Sequence, residues 1–117
     1  MHDGSRIYVL DEVVVQPGRA AEYHEAYLTR YAPGAQARGM RFESARMSPP
    51  LELDGQPSTL QFTWSVADPP AWWAMRFAAL GDPAVHGFWR DTAALIVSRS
   101  RRFLRDVPIQ PRGEVAS

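Results

Sequence analysis

Residues 58–66 read STLQFTWSV, and Leu60, Phe62, Trp64 and Val66 alternate there with Thr59, Gln61, Thr63 and Ser65. A period of two puts every second side chain on the same face, so the stretch is a strand with one apolar and one polar face. A sheet with a single core face is covered by helices on that side, which points to an α+β domain.

Downstream, Asp68 precedes Pro69-Pro70, a capping residue followed by proline in a first helical turn, and Trp72, Trp73, Phe77 and Leu80 form a stripe ending at Gly81. Asp82-Pro83 repeats that start, and Val85, Phe88, Trp89, Thr92, Leu95 and Ile96 make a second stripe of helical period. Ser98 to Val107 then reads as the last strand. The residues after Pro108 hold too little apolar content to pack and are expected to form a loose tail, as are residues 1–5.

Upstream, Met40 to Met47 alternates as a strand, and Pro49-Pro50 and Asp54-Gly55 punctuate a long hairpin connection to residue 58. Arg6 to Val15, rich in Val and Ile and closed by Gln16-Pro17-Gly18, is the first strand. It is apolar on both faces, with Asp11 and Glu12 one on each, as a central strand covered on two sides would be. From Pro17 to Tyr31 the pattern is helical: Ala20, Tyr23, His24, Tyr27, Leu28 and Tyr31 share a stripe, with Glu22, Glu25 and Thr29 opposite. Ala32 to Gly39 reads either as a further short helix or as a loop.

The order strand, helix, strand, strand, helix, strand is the split βαβ arrangement of ferredoxin-like domains, a four-stranded antiparallel sheet with helices on one face. At 117 residues the chain supplies one such domain, over residues 6–108. Thirteen basic residues balance thirteen acidic ones, so the field that would draw nucleic acid or anionic lipid is missing. The cluster from Arg99 to Arg105 is interrupted by Ser100, Phe103 and Leu104, which suits a strand with one wet face. No cysteine is present, which excludes disulfides and thiolate chemistry. Neither a secretion signal nor a membrane span is encoded, so the cytoplasm is the expected location. A chain this short gains by sheltering apolar area against a second copy, and a homodimer is expected.

The segments VVVQPGRAAEYHEAYLTRY, LQFTWSVADPPAWWAM and FWRDTAALIVSRSRRFLRDVP resemble NIPSNAP-type members of the dimeric α/β-barrel superfamily, which includes the antibiotic-biosynthesis monooxygenases. The resemblance covers roughly Arg6 to Pro108. It implies a dimer whose two sheets face each other as a barrel, with a ligand pocket between sheet and helices in each subunit. Members include cofactor-free oxygenases, cyclases, isomerases, lyases and haem-handling enzymes, so no single chemistry follows from the fold.

Among single residues, His24 is the first candidate for chemistry. An imidazole inside an apolar stripe, beside Tyr23, Tyr27 and Tyr31, could move protons near neutral pH; the other reading is a core imidazole bonded to a tyrosine or a carbonyl. Tyr27 would share the proton transfer. Arg76 falls between Trp72, Trp73 and Leu80, where an unpaired guanidinium is costly: it is either a clamp for a substrate carboxylate or enolate, or an arginine that snorkels or rests on tryptophan, with Glu12 or Glu43 as its partner. Tyr23, Tyr31, Phe62, Trp64, Trp72 and Trp73 would wall the pocket. The expected geometry has His24 in contact with a cavity, Tyr27, Tyr31 and Trp64 on its walls, and Arg76 near one end. His86 and Arg90 read as facing solvent or an interface.

Three scattered histidines lack a metal-ligand spacing, so no metal site is expected, and no Gly-rich phosphate loop or G-x-S-x-G elbow is found. The reading that emerges is a small-molecule enzyme working without a cofactor, by proton transfer of the isomerase, cyclase, lyase or monooxygenase type, on a hydrophobic metabolite, aromatic ones included. The alternative is a non-catalytic module for a small molecule or for haem, which one histidine could ligate.

Overall fold

The computed structural model describes residues 5–109. Apart from Ser5 and Ile109, the tails expected to be loose lie outside the described residues. Strands β1 (Ile7–Val15), β2 (Arg41–Ser48), β3 (Ser58–Val66) and β4 (Ile96–Arg105) form one antiparallel sheet in the order β2-β3-β1-β4. The helices are α1 (Ala20–Ala26), α2 (Ala32–Ala37), α3 (Pro69–Leu80) and α4 (Pro83–Thr92). This is the ferredoxin-like α+β arrangement, and β1 is central as its two-sided apolar character predicts.

The inner face of the sheet carries Val9, Asp11, Val13 and Val15 from β1 and Leu60, Phe62, Trp64 and Val66 from β3, all buried. Tyr23, Tyr27 and Tyr31 pack down on them, with the Tyr27 ring stacked on Phe62 at 3.8 Å. Phe88 of α4 closes the cluster against Tyr23 and Tyr31.

Three local devices set the path of the chain between these elements. Pro17 and Gly18 do not begin the helix but form a turn, in which Gly18 takes φ 77° and the Arg19 amide bonds the Gln16 carbonyl at 3.0 Å. Proline followed by a glycine with positive φ is the sequence of a type II turn, so α1 starts only at Ala20. Its first amide is met by the Glu52 carboxylate at 3.1 Å, from the hairpin connection. Next, Pro33 does not end the helix as its position suggests. Residues Tyr27–Tyr31 widen into a π turn, in which the Ala32 amide reaches back to the Tyr27 carbonyl. The extra residue relaxes the ladder where Pro33 offers no N–H and its ring would crowd the preceding turn, and the helix continues as α2. Finally, Gly39 at φ 95° ends α2, and the Met40 amide bonds the Ala35 carbonyl at 3.0 Å while the Met40 side chain is buried.

The second half departs from the sequence reading in two places. Asp68 and Asp82 cap α3 and α4 as expected, accepting from the Ala71 and Ala84 amides at 2.9 Å each. On α3, however, Trp73, Phe77 and Leu80 point outward, 53%, 66% and 66% exposed, and the inward side is Met75 flanked by half-buried Trp72, Arg76 and Ala79. Two apolar stripes lie on this helix, and wheel geometry alone cannot tell which one the sheet covers. The last strand begins two residues early, at Ile96 rather than Ser98, because a 3-10 turn (Ala93–Leu95) ends the helix and Ile96 pairs with Val15.

Candidate functional site

A charge lies at the centre of the sheet. Asp11 is fully buried on β1, and its strand partner Arg101 on β4 lies across from it on the inner face. Arg101 grips the carboxylate with two nitrogens, Nε on Oδ1 at 2.5 Å and Nη2 on Oδ2 at 2.7 Å. The Tyr27 hydroxyl donates to Oδ2 at 2.6 Å and accepts from Trp64 Nε1 at 2.7 Å. Arg101 Nη2 also donates to the Tyr31 hydroxyl at 2.7 Å. Two-pronged guanidinium pairing with further hydrogen bonds is what makes a buried ion pair tolerable. Tyr27, Tyr31 and Trp64, read as cavity walls, are therefore held inside this network. Burial, then the Asp11 charge, push the Tyr27 hydroxyl pKa well above its ordinary value.

Arg101 reaches from this network toward a cleft between α3, α4 and β4, with a cavity volume of about 320 Å³. Arg76 from α3, His86 from α4, and Arg99 and Arg101 from β4 converge on it, over apolar walls that include Met75, Leu80, Val85 and Trp89. The Arg99 guanidinium lies 3.7 Å from the centre of the Trp89 ring, and Arg76 lies 5.1 Å from Trp72 and 5.3 Å from Phe103. Aromatic faces hold these two cations in place; the stacking expected of Arg76 is present, but Glu12 and Glu43 do not pair with it, being engaged by Gln61 and Arg102 and by Ser65 and Arg41. His86 Nε2 sits 3.1 Å from the Leu80 carbonyl, which can only accept. That bond assigns the ring proton to Nε2 and leaves Nδ1 as the basic nitrogen.

His24 stands apart from these groups. It is exposed, not buried in the tyrosine stripe, because Tyr23 and Tyr27 take the inward direction and the ring is turned to the side, 6.1 Å from Phe62. It lines a second cleft of about 310 Å³ between α1 and β2, with Ala20, Ala45, Arg46, Met47, Glu52 and Leu60. Among the described residues neither of its ring nitrogens has a hydrogen-bond partner. So His24 does adjoin a cavity, but Tyr27, Tyr31, Trp64 and Arg76 do not share it, and Tyr23 and Phe62 are sealed in the core. Trp72 is half-buried beside Phe103, at 5.1 Å between rings, and Trp73 is at the surface.

His86, read from the sequence as facing solvent or an interface, is indeed exposed, and it lies on the cleft; Asp11, Trp89, Arg99 and Arg101 received no site role from the sequence. A signal did exist for two of them: Arg99 and Arg101 alternate in phase with Phe103, which puts all three on one face of the strand. Among the described residues no group of His, Cys, Asp and Glu side chains is placed to hold a metal ion, and no helix is long and apolar enough to cross a membrane.

No protein-family profile and no curated protein matches the chain. Solved structures do. A NIPSNAP family protein of unknown function from Agrobacterium tumefaciens strain C58 superposes with a TM-score of 0.70 at 12% identity, covering 94% of this chain and 96% of that one. A NIPSNAP-like domain protein from Burkholderia xenovorans gives 0.68 at 16% identity, over 93% and 91% of the two chains. An antibiotic biosynthesis monooxygenase-like protein from Caulobacter crescentus CB15 gives 0.63 at 18%, over 90% and 92%. The NIPSNAP-like, monooxygenase-like fold suggested by the sequence is thus the fold of this chain; at such identities the likeness carries fold and not activity.

The network sets two expectations. Asp11→Ala leaves Arg101 without its counter-charge and should cost about 3–5 kcal/mol of unfolding free energy, and Tyr27→Phe, which strands the Trp64 donor, about 1–3 kcal/mol; urea titrations measure both. A tyrosine whose pKa is raised by folding stabilises the native state below its unfolded value of 10.0, and that contribution fades as pH rises above it. Stability should therefore fall above that pH, and less steeply in Tyr27→Phe, as followed by denaturant midpoints across an alkaline series.

Proposed function

We propose that this chain binds a small, partly apolar organic anion in the cleft between α3, α4 and β4 and promotes proton transfer on it without a cofactor. The observation that supports this most is the convergence of Arg76, Arg99 and Arg101 with His86 on one apolar-walled cavity. A carboxylate or enolate oxygen would lie against the guanidiniums. His86 Nδ1 would take a proton from carbon next to a carbonyl, and the charge that develops on oxygen would be stabilised by cations already held by Trp89, Trp72 and the Asp11 network. Arg101 cannot swing away, since Asp11 and Tyr31 fix it, so the site is preorganised.

A second reading keeps His24 as the acid/base group on a hydrophobic molecule in its own cleft. The free ring nitrogens and the apolar floor of Ala20, Ala45, Met47 and Leu60 favour it.

Phenylpyruvate, with a carboxylate, a carbonyl, an acidic methylene and a flat apolar body, is a suitable probe. Proton NMR in D2O should show its methylene signal exchanging faster with protein than in buffer. His86→Gln should slow the catalysed exchange by ~10²–10⁴-fold, Arg76→Gln should weaken binding, and His24→Ala should change neither. Loss of exchange in His24→Ala with His86→Gln intact would select the second reading; exchange at the buffer rate with no binding would remove both.

The reading includes a homodimer. On the face of the sheet away from the helices, Tyr8, Leu10 and Val14 of the central strand are only half-covered, which suits a second sheet packed against them. Light scattering should give twice the chain mass of 13.1 kDa, and Leu10→Glu should halve it. A monomer with an intact circular-dichroism signal would exclude the barrel.

A further inference from the structure

The charges around the arginine cleft restrict what it can hold, provided that the cleft is the ligand site as proposed above. From the pairing of each cation we infer that the ligand is a dianion: Asp11 already neutralises Arg101, whereas Arg76 and Arg99 face the same cavity with no carboxylate of their own.

On β4, Arg101 is bound by both oxygens of a fully buried Asp11 and adds no net charge. Arg99, on the same strand two residues before, meets only the face of Trp89. On α3, Arg76 meets only the rings of Trp72 and Phe103. Among the described residues neither Arg76 nor Arg99 has an acidic side chain within ion-pair distance, and no acidic side chain lines the cleft. The acids of α4 and its cap are engaged elsewhere: Asp91 with Arg30 at 2.8 Å and Arg90 at 3.1 Å, Asp82 with Arg38 at 3.3 Å. His86 presents its ring from α4, bonded to the Leu80 carbonyl.

Stacking on an aromatic ring orients a guanidinium and lowers the entropy lost when it binds, but it leaves the positive charge in place. Two such cations on one concave surface repel each other, and a single carboxylate would cancel only half of their charge. Two carboxylates, or one phosphoryl group in its dianionic form, would cancel all of it. Both chemistries present oxygen pairs that match the planar fork of arginine.

Calorimetric titration with three probes sharing one aromatic body tests the inference: phenylacetate with one charge, homophthalate with two carboxylates, and phenyl phosphate, dianionic at about pH 8 since its second pKa is near 6. At least one dianion should bind about tenfold or more tightly than phenylacetate, a gap near 1.4 kcal/mol. Arg76→Gln and Arg99→Gln should each shrink that gap, and the double variant should close it. Arg99→Lys, which keeps the charge, should retain the dianion preference and shows that the cleft still folds. Homophthalate ahead of phenyl phosphate would assign a dicarboxylate, and the reverse order a phosphate ester.

Equal affinity for all three probes in the unsubstituted protein would overturn the dianion inference, and so would a preference that survives the double variant. If phenylacetate still weakens in Arg76→Gln under equal affinity, the cleft remains an anion site and only its charge requirement fails. If no probe binds at all, the underlying reading of the cleft fails with it.

Discussion

A buried carboxylate on the central strand is the constraint that the rest of this domain is arranged around. Asp11 lies on the face of β1 that carries Val9, Val13 and Val15, and it receives no contact with water. An aspartate in that position is tolerable only if several donors reach it. Two nitrogens of Arg101 arrive from the neighbouring strand and the Tyr27 hydroxyl from the helix above. Trp64, across the other side of β1, then anchors Tyr27. Strand order, helix placement and the aromatic layer all have to agree for that set to close. The charge therefore ties together elements that hydrophobic packing alone would leave free to slide.

Much of the fold was legible because its signals are periodic and local. The alternation over Ser58–Val66, the capped prolines at Asp68 and Asp82, and the glycine after α2 each have one dominant physical reading, and the structure follows them. The site was less legible because it is made of pairings across the sheet. Asp11 faces Arg101 across ninety residues of chain, and neither residue says from its own neighbourhood that it has a partner. The arginines of β4 look like the wet face of a strand when the strand is read singly. Register against β1 puts Arg99 and Arg101 on the helix face, where Arg101 is largely covered and Arg99 stays exposed beside Trp89.

The helices show a related ambiguity. His24 belongs to the tyrosine stripe on a regular wheel, yet the rings of Tyr23 and Tyr27 fill the inward direction and leave the imidazole on the flank. On α3 Trp73 and Phe77 face outward, and the sheet is met by Met75 with Trp72 and Arg76 at its sides. Bulk hydrophobicity is a poor guide where a helix carries more apolar surface than one contact can use. Two clefts result, on opposite sides of the tyrosine layer, one lined by cations and one mostly apolar.

The π turn over Tyr27–Tyr31 gives the tyrosine layer an unusual kind of fragility. A π turn is a helix holding one residue more than its α path requires. Removing any one of Leu28, Thr29 or Arg30 would let that segment close into a regular helix with everything beyond it kept in its present direction, whereas closing it with every residue retained would rotate everything beyond it by about 100°. In the second case Tyr31 would leave Arg101 while Tyr27 stayed on Asp11, and Pro33 would meet an unbroken ladder. The widened turn thus links the buried pair to the cleft, so that a change of helix form touching neither charge could uncouple them.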